Sequence, residues 1–297
     1  TTWQQVLAGE CGFRPLDRFP LDEFPQTHGG QLTDTVENEL REAFPDVDLA
    51  FAMVIQAARE AVSDVEDAGD AGLVLATNFG LMETREWCWR ERVDVNEMDE
   101  ATFHRQQDVI ANVAGALDLS GPTAQLSLSC ASGAGAVALA RQWLRAGRCR
   151  RVLCICYDAL TEYCWCGLSN LHTITDDKLR PFAVTRHGTV FSEGSAALLL
   201  SADPADAGQS QARLLGAATN NNAFHLTAPA KDADGSRRVL AAALENAGLT
   251  AAQVDLISAH ATGTSANDVT EAAAINSLLD GRRVPVAGLK SSFGHML

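Results

Sequence analysis

Residues 123–129 read TAQLSLS, and Cys130-Ala131-Ser132-Gly133-Ala134-Gly135 follows before the Ala/Leu-rich run 136–146. The first stretch alternates as a buried strand does, and the last has helical composition, so the residues between form a strand-to-helix turn. A thiol placed there sits at a helix N-terminus, where free backbone N–H groups and the dipole favour thiolate over thiol. Small neighbours let a substrate approach the sulfur closely. That is how a chain builds a cysteine nucleophile, although a turn cysteine alone says little.

The same alternation continues on both sides. A helix at 54–62 precedes a strand at 72–77, and a helix at 109–117 precedes the strand 123–129. After the nucleophile helix come strands at 151–157 and 195–200, then helix 236–247, strand 254–258, helix 268–279 and strand 284–289. Such alternation predicts an α/β protein whose sheets are covered by helices. The polar, Gly/Pro-bearing stretch 202–210 (ADPADAGQS) suggests a junction between halves.

Composition narrows the function classes. Hydrophobic residues make up 46% and charged residues 21% of 297 positions, as in a globular protein. A net charge of −15, with acidic residues scattered along the chain, argues against general nucleic-acid or anionic-membrane binding. No apolar run reaches bilayer-spanning length. The first residues carry neither a signal-peptide pattern nor an initiator methionine, so the start reads as internal to a longer frame, with a cytoplasmic location expected. Arg141, Arg145, Arg148, Arg150 and Arg151 cluster at the end of the nucleophile helix. They suit a helix C-terminus, or would meet an acidic partner protein.

Eight cysteines raise the question of metal or disulfides. Cys154-Ile155-Cys156 and Cys164-Trp165-Cys166 have one intervening residue, not the two to four of zinc sites, so no metal is expected. Cys154 and Cys156 fall in a strand and share a face; buried free thiols in a reducing compartment account for them.

His260 closes a strand and opens a small-residue loop, where α/β folds place chemistry. A satisfied loop histidine is the plain alternative. Lys290, one of only three lysines, ends a later strand, and Gly294-His295 follows.

In this order the residues are recognisable. The blocks SCASGAGA around Cys130, RPFAVTRHGTVFSEGSA at 180–196, HATGTSANDVTEAAAI at 260–275 and GLKSSFGHML at 288–297 resemble the β-ketoacyl-acyl-carrier-protein synthases. These are the decarboxylating condensing enzymes of fatty-acid and polyketide assembly. Weaker similarity runs across nearly the whole chain. The resemblance implies a thiolase-like five-layer αβαβα sandwich with its second half truncated. Residues 1–202 would form an N-terminal half that lacks its first strand and carries the nucleophile; residues 203–297 would form a partial C-terminal half with two histidines. It also implies a homodimer, with the strand before the nucleophile near the two-fold axis, and an acyl carrier protein as partner. The phosphopantetheine arm belongs to that partner, and no other cofactor is implied.

By motif position, Cys130 corresponds to the acyl-accepting nucleophile, His260 and His295 to the decarboxylation pair, and Lys290 to the supporting lysine. Asp268 and Glu271 match the family's carboxylates, and Thr262 and Thr264 the threonines that hold the arm. A thiolate attacks an acyl thioester to give an acyl-enzyme. Two neutral imidazoles then stabilise the enolate left by malonyl decarboxylation. Thiolases and starter-unit enzymes pair the cysteine with other partners, so two histidines favour an elongating 3-oxoacyl synthase. A specialised polyketide or aryl-polyene synthase, and a non-catalytic condensing-enzyme-like subunit, are the alternatives. Ala261, Ala183 and Ser192 depart from the family's usual glycine, aspartate and glycine. Family members continue beyond Leu297, so the chain reads as a fragment expected to be inactive in isolation.

Overall fold

The computed structural model describes residues 2–65, 68–92, 108–203, 205–206, 210–225 and 228–296. In chain order the helices are α1 (Thr2–Leu7), α2 (Asp34–Ala43), α3 (Leu49–Val62), α4 (Met82–Arg90), α5 (Val109–Ala116), α6 (Ser132–Arg145), α7 (Glu162–Ser169), α8 (Asp234–Ala247), α9 (Ser265–Leu279) and α10 (Lys290–Phe293). The strands are β1 (Arg14–Pro15), β2 (His28–Gly29), β3 (Gly72–Ala76), β4 (Thr123–Leu126), β5 (Arg151–Asp158), β6 (Phe191–Ser192), β7 (Gly194–Ser201), β8 (Ile257–Ser258), β9 (Val286–Ala287) and β10 (His295–Met296). The junction stretch 202–210 lies partly outside the described residues.

Two compact units interleave along the sequence. One comprises Leu32–Trp165, Glu193–Arg213 and Met296–Leu297. Its four-stranded sheet runs β4-β3-β5-β7. β3 is parallel to both neighbours, with Leu73 opposite Thr123 on β4 and Leu153 on β5, and β7 is antiparallel to β5. Every residue of β3 (GLVLA) is buried, because helices cover both sides of it. Period-2 alternation divides those residues between two cores. Leu73 and Leu75 pack with Leu153 and Ile155 against Met53, Val54 and Ile55 of α3 and Val113 of α5. Val74 and Ala76 pack with Val152 and Cys154 against Ala136, Ala140 and Trp143 of α6. Fully burying such a side chain contributes roughly 1.5–3 kcal/mol.

Cys154 and Cys156 do share a face, the one toward α6. The Cys154 thiol lies 3.7 Å from the Ala136 carbonyl, and a Cβ at Gly133 would lie 3.2 Å from the Cys156 sulfur. The expectation of a buried strand at 123–129 does not hold. β4 spans Thr123–Leu126 and alternates between exposed and half-buried residues, because it is the sheet's edge.

The second unit comprises Thr1–Gln31, Cys166–Ser192 and Leu214–His295. Here β8 runs parallel to β9, with Ile257 opposite Val286, and α8 packs against α9. Both strands are shorter than the sequence suggests. Val254 donates its N–H to the Ala251 carbonyl at the end of a 3₁₀ turn over Ala251–Gln253, which delays β8. β9 stops at Ala287 because Gly288 and Leu289 turn into α10, where the Gly288 carbonyl accepts from the Ser291 N–H. Lys290 therefore opens a short helix instead of ending a strand.

Candidate active site

The second unit gathers His260, His295 and Lys290 with the carboxylates of α9. His260 leaves β8 in a bend whose next residue, Ala261, is buried with φ of 49°. Left-handed backbone costs a non-glycine residue roughly 1–2 kcal/mol, so something must hold the bend. Glu271 does so. One carboxylate oxygen accepts the His260 N–H at 2.6 Å and the other accepts the Ala261 N–H at 2.8 Å. Asp268, buried one turn earlier, accepts from the N–H of Gly263 at 3.1 Å and of Phe182 at 2.6 Å. Arg186 lies 3.8 Å from the same carboxylate.

His295 comes from the other end of the unit. Its N–H donates to the Val190 carbonyl at 2.8 Å where β10 pairs with β6. Gly294 must be glycine. Its φ is +83°, and a Cβ would lie 2.7 Å from the Ser192 hydroxyl and 3.0 Å from the Val190 carbonyl. The His295 ring is 3% exposed and meets Phe191 edge-on, with centroids 5.5 Å apart. The His260 and His295 rings stand 5.4 Å apart at 83°.

Electrostatics set their protonation. Burial lowers the His260 pKa and nearby Lys290 lowers it further, against opposition from Glu271 and Asp268. Burial, then Lys290 and His260, push His295 down to about 3. Both imidazoles are neutral at physiological pH. The Lys290 ammonium stands 3.5 Å from His260 Nδ1. An ammonium only donates, so Nδ1 accepts and the proton of His260 sits on Nε2. His295 Nδ1 is buried with no hydrogen-bond partner among the described residues. The pair thus offers ring N–H donors without positive charge, which suits a developing oxyanion.

Thr262 and Thr264 place their hydroxyls 3.0 Å apart. Thr264 also caps α9, accepting from the Asn267 N–H.

Cys130 belongs to the first unit. It follows β4 and precedes α6 by two residues, at an exposed position outside any disulfide. Ser129 before it has φ of 52°, and the Ser132 hydroxyl ties the turn by accepting the Leu128 N–H and donating to the Ser129 carbonyl. Three thiols outside the turn are suppressed by burial. Cys154 and Cys164 are pushed up to about 12 and Cys156 to about 11, which leaves them as thiols at neutral pH.

Two residues of this site carried no sequence signal of their own. Phe191 backs the His295 ring, and Asn267 donates to both Asp268 and Glu271 at 3.2 Å. Both lie inside the motif blocks, where a polar residue in the first turn of α9 was the available hint.

Solved structures define the class. The chain is similar to the ishigamide ketosynthase/chain length factor at TM-score 0.87 and 27% identity, covering 99% of this chain and 77% of that one. The fold is thiolase-like. Family models for the beta-ketoacyl synthase N-terminal and C-terminal domains match residues 1–205 and 211–297, so the chain belongs to the beta-ketoacyl synthase family. Among curated relatives, a 3-oxoacyl-[acyl-carrier-protein] synthase 2 of Synechocystis sp. is 28% identical over 320 residues, 99% of this chain and 77% of the relative. One of the same name from Staphylococcus aureus is 27% identical over 320 residues, 100% and 79% of the two chains.

Proposed function

We propose that the protein is a carrier-dependent 3-oxoacyl synthase that joins an acyl chain to a malonyl unit by decarboxylative Claisen condensation. The observation that carries this reading is the neutral imidazole pair, with His295 3% exposed and the rings 5.4 Å apart. Cys130 takes the acyl group from an acyl carrier protein, and the carrier's thiol leaves. Malonyl thioester then loses its carboxylate as carbon dioxide, and the bonding electrons pass into an enolate whose oxygen accepts from His260 and His295. The enolate carbon attacks the acyl carbonyl, a carbon–carbon bond forms, and the Cys130 thiolate is released. Lys290 holds the tautomer of His260, Glu271 and Asp268 hold the backbone around it, and Thr262 and Thr264 receive the phosphopantetheine arm, which the carrier brings.

The growing chain is a fatty acid or a polyketide. The names of the curated relatives support the first, and the likeness to the ishigamide ketosynthase supports the second. A homodimer through the edge of β4 fits the position of that strand at the end of the sheet. Eight free cysteines suit a reducing, cytoplasmic setting. No described helix is long and apolar enough to cross a membrane.

Incubation of the whole protein, with any segment that follows residue 297, and acyl-loaded carrier protein, followed by peptide mass mapping, is expected to place the acyl group on Cys130 and on no other cysteine. Carbon dioxide release from malonyl carrier completes the test. Uniformly slow alkylation of all eight thiols by iodoacetamide, with no acyl transfer, would identify a non-catalytic subunit instead.

A further inference from the structure

Asn267 is the third residue of α9, and its side-chain amide lies between two anions. Its Nδ2 is 3.2 Å from Asp268 Oδ1 and 3.2 Å from Glu271 Oε2. A carboxylate accepts and cannot donate, so both N–H groups of that nitrogen are committed, one to each partner. The two carboxylates sit three residues apart on one helix face, an arrangement that repels. Arg186 stands 3.8 Å from Asp268, and the remaining hydrogen bonds of both carboxylates go to backbone. Glu271 takes the N–H groups of His260 and Ala261, and Asp268 takes those of Gly263 and Phe182. Displacing Glu271 would therefore release the left-handed bend at Ala261 and rotate the His260 backbone that the bend fixes.

We propose that Asn267 is a positioning residue: by donating to both carboxylates it keeps Glu271 seated on the His260 and Ala261 N–H groups and so sets the direction of the His260 imidazole. The inference rests on the reading of His260 as an enolate donor, but the placement it describes exists with or without substrate. Among the described residues of this unit, the charged and titratable groups facing His260 are Lys290, Glu271, Asp268 and His295. An aspartate at 267 would have nearly the shape of asparagine and would add a third carboxylate in place of two donors.

The test uses the full chain labelled with ¹⁵N-histidine, with the His260 ring signals assigned by their loss in H260A. In N267A those signals are expected to move or broaden, while malonyl decarboxylation loses at least fivefold in kcat and KM stays within about twofold. In N267D the loss is expected to be deeper at pH 8 than at pH 6, where the added carboxylate is closer to its protonated form. His260 signals superimposable on the parent in both variants, with kcat within twofold at both pH values, would overturn the proposal. Failure of the parent protein to decarboxylate would count against the synthase reading; the ring signals of N267D, which preserves the side chain's shape, would still decide the role of Asn267.

Discussion

Replacing His295 by alanine is expected to lower malonyl decarboxylation by about 10²–10³-fold, the usual cost of removing one oxyanion donor. The ring is 3% exposed, and burial with two neighbouring basic groups keeps it neutral down to about pH 3. In the proposed mechanism it therefore acts by donating a hydrogen bond, and acid catalysis is not its role at neutral pH. Asparagine at 295 retains an N–H donor and is expected to recover part of the loss. His260→Ala should cost a similar factor. The double variant should lose less than the product of the two, because both rings serve one oxygen. Acyl transfer to Cys130 precedes decarboxylation and should survive in both single variants. Cys130→Ala provides the converse, with condensation abolished and decarboxylation retained. Steady-state release of carbon dioxide, measured separately from mass-spectrometric acyl loading, distinguishes the half-reactions. A decarboxylation rate within threefold of the parent in H295A would remove the imidazole pair from the mechanism.

What could be read from the sequence was what local chemistry determines. β3 and β5 are continuous apolar runs flanked by helical patterns, and both stand where those runs lie. Helix C-terminal ends were read to within a residue or so at α3, α5, α6, α8 and α9. The apolar period places the starts of α3, α6, α8 and α9 too late, whereas α5 starts at Val109 as read. α3 begins at Leu49, not 54, because Asp48 accepts the Ala50 N–H and caps the helix. α9 begins at Ser265, not 268, because Thr264 caps it. In each case the cap lies outside the apolar period that marked the helix. The short β8 and β9 and the exposed β4 depend on neighbouring turns and on edge position, which no single segment encodes.

The site divides in the same way. Local pattern pointed to Cys130 and His260 as residues at the ends of strands. Only the order of the motif blocks linked His260 to Lys290 and His295, and the structure does bring those three side chains together. The contacts that orient them have no local signature, because their partners come from remote segments. Phe191 on β6 backs a histidine on β10, and Glu271 on α9 reaches back to the turn after β8. Sequence motifs name the reacting groups more readily than the residues that aim them.

The burial that keeps His295 a neutral donor should also make the fold sensitive to acid. An unfolded histidine titrates near 6.5, whereas His295 in the fold is held down to about 3. Above pH 6.5 both states are neutral and the ring contributes no pH dependence. Below it the unfolded chain binds a proton that the folded chain refuses, so stability falls as pH falls, at about 1.4 kcal/mol per pH unit. Between pH 6.5 and pH 5 this amounts to about 2 kcal/mol from His295 alone. His260 is shifted in the same direction and adds to the effect. The buried carboxylates Asp48 and Asp158 are raised above their ordinary value of 3.8, so they bind protons more tightly in the fold and oppose the loss at lower pH. His295→Asn separates the contributions, since it removes the imidazole and leaves both carboxylates. Urea unfolding at pH 7.5, 6.5, 5.5 and 5.0 should show the parent losing stability more steeply than the variant, with the curves diverging below pH 6.5. Parallel curves for the two proteins would mean that the ring takes up its proton in the fold as readily as in water, and burial would then not be what keeps it a neutral donor.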